Sequence, residues 1–593
     1  MHSDASDLNL LMVHADDHAP MLTEGLPGDA AGGQRITADD SDAAHFWDEG
    51  GDPNDLELQR WGVIAPQGPA GDRLLALLEP LIAHRREQQG DAVRIYRVPS
   101  RMTADEAMRW KKREFDSGAD LNIEVPRYQL ILGDLDQVPL ELQQVQASDG
   151  YVGRLAFAAE DDYAAYVDKV LRWEKMSGGT DESDALFFTV HDGTAATAVG
   201  HRALVAPGVE VVKRRQAAGQ YPARNVVEFG DRVTPSPDEL LRRVVGGAPN
   251  VLFTLSHGEG APRGGWRSPE EQRRRQGAMS FGREGKLAGE ELRARTFLPG
   301  GIWFMLACYG AGTPGHSAYK HWLEALASAG QFRGKPESVL AGLAGPDTRP
   351  FIAALPQAVL ANPNGPLAFM GHVDLAWTYG FQDLDSGATN RPARYMAITR
   401  SLLKRDRAGV SMRELLRFFD QTNVELTSLH DQEARARSMG QPVQPDVARQ
   451  SHLWMLRNDL AAYVLLGDPA VKLPLGGLSD APPPRERPVV VSTSPPTTAS
   501  PVAASSATVT AEARPAAQAS TAQTSTATAT TSAAEAQPAA SGPTLALEEA
   551  VARWLLADLE IEAAAARAGI PRAELERLGA LYRHSGRGAL RRP

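Results

Sequence analysis

Two short segments of this chain carry residue types that could perform acyl transfer. In VLFTLSHGEG, His257 follows a buried-strand pattern and has Gly258 behind it. In GIWFMLACYGAGT, Cys308 follows another such pattern, with Gly310 and Gly312 beyond it. A thiolate can attack a carbonyl carbon, and an imidazole can activate the thiol or protonate the leaving amine. The chemistry also needs backbone N–H groups aimed at the oxyanion. Glycines at these positions let the backbone approach a substrate closely, which makes the N–H groups of Gly258 and Cys308 the candidate donors. Cys308 is the single cysteine of the chain, so it forms no intramolecular disulfide and no cysteine-based metal cage. Taken alone it reads as a small buried apolar residue. The Ser-His-Gly turn and the glycines after Cys308 move the reading to a working thiol.

The elements that must position this pair read as alternating strands and helices. Strands are predicted at residues 185–190, 225–230, 251–256, 301–307 and 367–373, with helices at 237–245, 317–328 and 351–360. Short, nearly continuous apolar strands separated by helices imply a mainly parallel sheet covered on both faces. A ligand then sits beyond the carboxyl ends of the strands, where His257 and Cys308 fall. A second alternation precedes it: a helix over 74–88, a strand over 92–99, a helix opened by a Thr103–Glu106 capping box, a strand over 127–134 and a helix over 161–175.

The SHG segment (256–258) and the ACYGAG segment (307–312) resemble the His and Cys motifs of caspase-like (clan CD) cysteine peptidases. In caspases the His lies about 50 residues before a Q-A-C-x-G motif. This chain keeps Ala307, Cys308 and Gly310 but has Leu306 and Tyr309 at the other positions, and so is closer to the bacterial CHAT and gingipain-like branch. The segments RYQLILGDLDQVPLELQ (127–143), YVGRL (151–155), GHVDLAWTYGF (371–381) and AAYVLLGDPAVKLPL (461–475) extend the resemblance over roughly residues 90–475. It implies an α/β fold, a caspase-hemoglobinase-like α/β/α sandwich with an N-terminal α/β subdomain. It also implies a catalytic dyad of His257 and Cys308, cleavage of peptide bonds in a protein substrate, and a role in bacterial defence or regulated cell death. No metal or organic cofactor is expected in the chemistry; calcium, a structural ligand in gingipain relatives, finds no clear loop here. An acid at the ends of neighbouring strands would select a basic P1 side chain, whose charge would otherwise be buried unpaired. Asp192 and Asp374 are the candidates, each also able to serve as a turn or capping residue. Glu259 is a doubtful third partner for His257.

Composition bounds the rest. The 593 residues are 42% hydrophobic and 23% charged, with 74 acidic against 62 basic side chains. That balance argues against a chain-wide polyanion-binding surface, no segment reads as a membrane span, and a lone cysteine fits a reducing cytoplasm. The expected organisation is a flexible arm (1–55), the N-terminal α/β subdomain (56–180), the peptidase domain (181–476), a disordered Ala/Ser/Thr/Pro linker (477–542) and a small helix-turn-helix-like module (543–593). That last module fits recruitment of a partner on a tether better than DNA binding. The Arg-rich stretch 261–287 reads as a solvated loop or an activation loop. Two other classes stand beside the peptidase: a non-catalytic scaffold of the same fold, and a DNA-associated regulator acting through its C-terminal module.

Overall fold

The computed structural model describes residues 8–26, 52–116, 125–176, 183–246, 248–332, 334–345, 348–383, 389–443 and 445–476, with 565, 570–573 and 575–577. The expected linker, nearly all of the C-terminal module and residues 27–51 of the expected arm lie outside the described residues.

In chain order the strands are β1 (Met12–His14), β2 (Trp61–Pro66), β3 (Arg94–Val98), β4 (Tyr128–Leu132), β5 (Tyr151–Leu155), β6 (Ala185–Thr189), β7 (Val226–Phe229), β8 (Val251–Leu255), β9 (His257–Gly260), β10 (Met279–Ser280), β11 (Lys286–Leu287) and β12 (Ile302–Leu306). They continue with β13 (Gly312–Thr313), β14 (Phe351–Ile352), β15 (Ala368–His372), β16 (Gln382–Asp383), β17 (Thr389–Asn390) and β18 (Tyr463–Leu466). Ten of them form one sheet in the order β3-β2-β4-β5-β18-β15-β12-β8-β6-β7. Every pairing in it is parallel except β15 with β18. Helices connect the parallel strands, among them Pro69–Gln89, Glu160–Lys175 and Pro237–Val244, giving the mixed α/β/α architecture that the alternation implied. All residues of β8 and β12 are buried, because VLFTL and IWFML present apolar side chains to both covered faces.

The strand order reverses at β6. The chain runs from β6 outward to β7, then returns to place β8 on the other side of β6. This switch opens a crevice at the carboxyl ends of β6 and β8, the place where open α/β sheets receive ligands. The capping box is present: Thr103 Oγ1 accepts from Glu106 N–H at 3.3 Å and Glu106 Oε2 accepts from Thr103 N–H at 2.9 Å.

The two expected subdomains share this sheet. Strand β18 lies antiparallel to β15 and parallel to β5, where Leu466 faces Arg154. A Cβ on Gly153 would stand 2.3 Å from the Gly467 carbonyl oxygen, so the seam requires a residue without a side chain. Just beyond it a buried ion cluster crosses between the halves. Arg85 donates to Asp468 Oδ2 at 2.9 Å and to Glu174 Oε1 at 2.6 Å, and Trp61 Nε1 donates to Asp468 Oδ1 at 2.9 Å. The adjacent guanidinium holds the Glu174 carboxyl far below the ordinary carboxylate range, against the opposing effect of burial.

Two expectations need correction. Residues 8–26 are no mobile arm: Leu8, Leu10, Leu11, Met12, Val13 and Leu26 are buried, and β1 pairs with β9. An apolar run, LNLLMV, lies inside the acidic segment and drives that burial. The stretch 261–287 is not one irregular loop: it forms a helix, Pro269–Arg275, that keeps no residue buried, and returns through β10, which pairs with β9, and β11, which pairs with β10. Arg275 and Lys286 from this stretch clamp the buried Glu259 at 3.2 Å each.

Arg85→Leu would leave the buried Asp468 without its cation and Glu174 with only His84 and Gln88, an effect of about 3–5 kcal/mol. The expected outcome is a clear fall in the urea unfolding midpoint. An unchanged midpoint would show that the cluster does not hold the halves together.

Candidate active site

His257 and Cys308 come from neighbouring strands in register. Leu255 of β8 faces Leu306 of β12, and each functional residue follows two positions later. The chain turns sharply after β12, with Tyr309 in the left-handed region at φ 56°. A non-glycine residue there is uncommon. Tyr309 N–H donates to the Asp374 carbonyl at 3.0 Å and Gly310 N–H to the Ala307 carbonyl at 3.3 Å, which hold the turn and aim Cys308 out of the sheet edge. Both His257 and Cys308 are 0% exposed.

Gly258 brings the two segments together. A Cβ on it would lie 1.9 Å from the Cys308 carbonyl oxygen, so only glycine permits this approach. The N–H groups of Gly258 and Cys308 then point at one oxygen, the carbonyl of Leu11, at 3.0 and 3.3 Å. These are the two donors nominated for an oxyanion, and the oxygen they meet belongs to the chain's own N-terminal segment.

The imidazole is oriented from the end of β6. Thr194 Oγ1 donates to Asp192 Oδ1 at 2.8 Å and lies 2.8 Å from His257 Nε2. Its single proton is used on Asp192, so Oγ1 accepts from Nε2–H. The tautomer inferred from this network leaves Nδ1 with its lone pair, buried and without a hydrogen-bond partner. Asp192 also accepts from Thr197 Oγ1 at 2.7 Å, and its Oδ2 stands 3.7 Å from Nε2. Burial lowers the His257 pKa, while the Asp192 charge and the Leu11 backbone oppose that fall. Burial likewise pushes the Cys308 thiol well above its ordinary value, with the Ala376 N–H opposing at 3.2 Å from Sγ.

The expected acids of a basic P1 pocket are placed otherwise. Asp192 belongs to the imidazole, and its carboxylate is nearly enclosed by Thr194, Thr197 and His257. Asp374 Oδ2 accepts from Ala318 N–H at 2.9 Å and Oδ1 from Leu375 N–H at 2.8 Å. With its carbonyl on Tyr309 N–H, Asp374 fastens the cysteine turn. Burial raises its pKa, and the Ala318 and Leu375 N–H groups counter this. Glu259 points away from His257, into Arg275 and Lys286. Sequence reasoning missed Thr194, Thr197 and the Leu11 segment. The first two looked like ordinary polar residues in HDGTAATAVG, and only the LNLLMV run signalled the third. Among the described residues, no group of three or more His, Cys, Asp or Glu side chains is arranged to hold a metal ion, and no helix is long and apolar enough to cross a membrane.

No family model matches the chain, and no curated protein matches it. Among solved structures it is similar to the Arg specific cysteine proteinase gingipain R, at 13% identity over 71% of this chain and 80% of that one, with a TM-score of 0.39. A structure named only as a protease gives 13% identity, coverage of 70% and 78%, and a TM-score of 0.40. The Saccharomyces cerevisiae separase–securin complex gives 10% identity, coverage of 57% and 16%, and a TM-score of 0.25. These likenesses are distant, and no step of the chemistry below rests on them.

A negative charge beside an imidazole favours its protonated form. Asp192→Asn therefore lowers the His257 pKa further, and NMR titration of the His257 ring in the Cys308→Ala background reads the shift. A pKa that stays or rises would separate Asp192 from the imidazole.

Proposed function

We propose that the chain is a cysteine endopeptidase that hydrolyses peptide bonds of a protein substrate, with Cys308 as nucleophile and His257 as general acid and base. The observation that carries the proposal is the convergence of the Gly258 and Cys308 N–H groups on a single carbonyl oxygen, beside a buried thiol and a buried imidazole. Two fixed donors in a buried site stabilise developing negative charge far better than solvent does.

The steps follow from these positions. Cys308 Sγ attacks the carbonyl carbon and its proton passes to His257 Nδ1, the ring nitrogen left with a lone pair. The tetrahedral oxyanion is held by the two N–H groups. On collapse the C–N bond breaks and Nδ1 returns the proton to the leaving amine, giving a thioester that water hydrolyses. Asp192, acting through Thr194 and its own charge, is a positioning residue: it fixes the tautomer and favours the imidazolium that forms. No cofactor enters this sequence of steps.

No basic P1 preference is proposed: Asp374 spends both oxygens on backbone N–H groups, and Asp192 Oδ1 takes the hydroxyls of Thr194 and Thr197.

A P1-varied fluorogenic peptide library tests the reading. Wild type is expected to turn over at least one member, and Cys308→Ala to lose more than about 10³-fold in kcat/KM. Equal turnover by both forms would remove Cys308 from the chemistry. Silence of wild type, together with no labelling of Cys308 by peptidyl electrophiles, would favour the non-catalytic scaffold.

A further inference from the structure

The segment in the cleft lies as a substrate would. Leu10 makes an antiparallel bridge to Trp377. Leu11 puts its carbonyl oxygen between the Gly258 and Cys308 N–H groups. Met12, Val13 and His14 then pair in parallel with Gly258, Glu259 and Gly260. The chain is thus extended across the dyad, held on one side by the strand end beyond β15 and on the other by β9. The Leu11 side chain is 0% exposed.

The segment is also anchored beyond the cleft. Leu8 and Leu26 exchange backbone hydrogen bonds at 2.7 and 2.8 Å, and Met21 N–H donates to the Met12 carbonyl at 2.9 Å. Arg275 donates to the Ala15 carbonyl, and His14 Nδ1 lies 2.9 Å from the Ala261 carbonyl. Packing of an apolar run would bury leucines in any backbone orientation. It does not require one carbonyl to take both N–H groups that the chemistry reserves for an oxyanion.

We propose that the Leu11–Met12 peptide bond is a self-processing site, cut in cis by Cys308, and that the P1 pocket takes an apolar side chain of leucine size. The inference rests on the peptidase reading above. Sγ bonds to the Leu11 carbonyl carbon while its proton goes to His257 Nδ1. The Leu11–Met12 C–N bond then breaks and the proton passes to the Met12 amine. Water adds to the thioester, leaving the Leu11 carboxylate and the free thiol. Asp459 is an acid that offers an alternative pocket floor, since its charge acts on Cys308. Its Oδ1 accepts from Trp377 N–H at 2.9 Å and lies 3.5 Å from His372 Nε2, while Oδ2 has no hydrogen-bond partner and faces Gly380. A basic P1 residue reaching that oxygen is the competing outcome.

The experiment incubates the purified full chain at neutral pH and follows intact mass and the N-terminal peptide. Wild type is expected to lose residues 1–11 and begin at Met12, at a rate unchanged over a hundredfold range of protein concentration, while Cys308→Ala stays whole. Leu11→Met should keep the cut, and Leu11→Asp should slow it by about 100-fold, since burying a carboxylate where Leu11 is fully enclosed carries a desolvation cost. Processed enzyme should be labelled faster by an acyloxymethyl ketone with Leu at P1 than by its Arg counterpart. Wild type that stays uncut yet is labelled at Cys308 overturns the inference and leaves the peptidase reading intact. Wild type neither cut nor labelled overturns both. A Met12-starting species in Cys308→Ala as well, a rate that scales with concentration, or faster labelling by the Arg probe each overturns the inference or its apolar pocket.

Discussion

The site depends on the register between β8 and β12, in which Leu255 faces Leu306 and each strand ends two residues before its functional side chain. Parallel strands in register deliver their next residues to the same edge of the sheet. His257 and Cys308 are therefore delivered to one edge of the sheet without any loop having to search for the arrangement. The remaining condition is closeness, and Gly258 meets it. With no Cβ, its backbone can lie against the Cys308 carbonyl, where a methyl group would stand at 1.9 Å. One strand register and one missing side chain together fix two N–H vectors on a common point. Donors fixed in this way need not reorganise when charge develops.

Rigidity at that point is drawn from both halves of the molecule. The cysteine turn is fastened by Asp374, which follows β15, and β15 pairs with β18, the strand that joins the two halves of the sheet. Arg85, Asp468 and Glu174 lock that seam with charges from three separate elements. A buried ion cluster contributes less to net stability than its short contacts suggest, because desolvation offsets the attraction. Its effect is specific: it accepts one relative placement of the halves and penalises others. The N-terminal half thus acts on the site indirectly, through the central strands that carry it.

What could be read from the amino-acid sequence divides along physical lines. The strands were legible, because an apolar run of five residues between polar turns has few alternatives in an α/β chain. The placement of His257 and Cys308 at one sheet edge was legible for the same reason, since each stands at the end of such a run with a glycine nearby. The roles of Asp192 and Asp374 were not. A carboxylate at a strand end can face a substrate, an imidazole or a backbone N–H, and only the positions of Thr194, Ala318 and Leu375 in space decide among these. Residues 8–26 were misread because acidic residues dominate the composition of residues 1–55. The short LNLLMV run outweighs them in burial, as a few large apolar side chains with a matching groove can. The stretch 261–287 was misread because its arginines looked solvated, whereas Arg275 is spent on the buried Glu259.

Burial of the site also biases the charge state from which the proposed chemistry would start. Desolvation raises the thiol and lowers the imidazole, and both shifts favour the neutral pair over the thiolate–imidazolium pair. A neutral thiol is a poor nucleophile, so in the proposed chemistry the proton moves to Nδ1 as the Sγ–C bond forms. The negative charge then goes directly onto an oxygen already held by two donors, and the positive charge onto a ring facing Asp192. Neither ion is created before its partner is in place. The same desolvation that makes the resting pair unreactive toward solvent-borne electrophiles therefore strengthens every interaction of the transition state with the hole and with Asp192. In the proposed self-processing, the Leu11 segment supplies the carbonyl whose oxygen already takes both N–H groups.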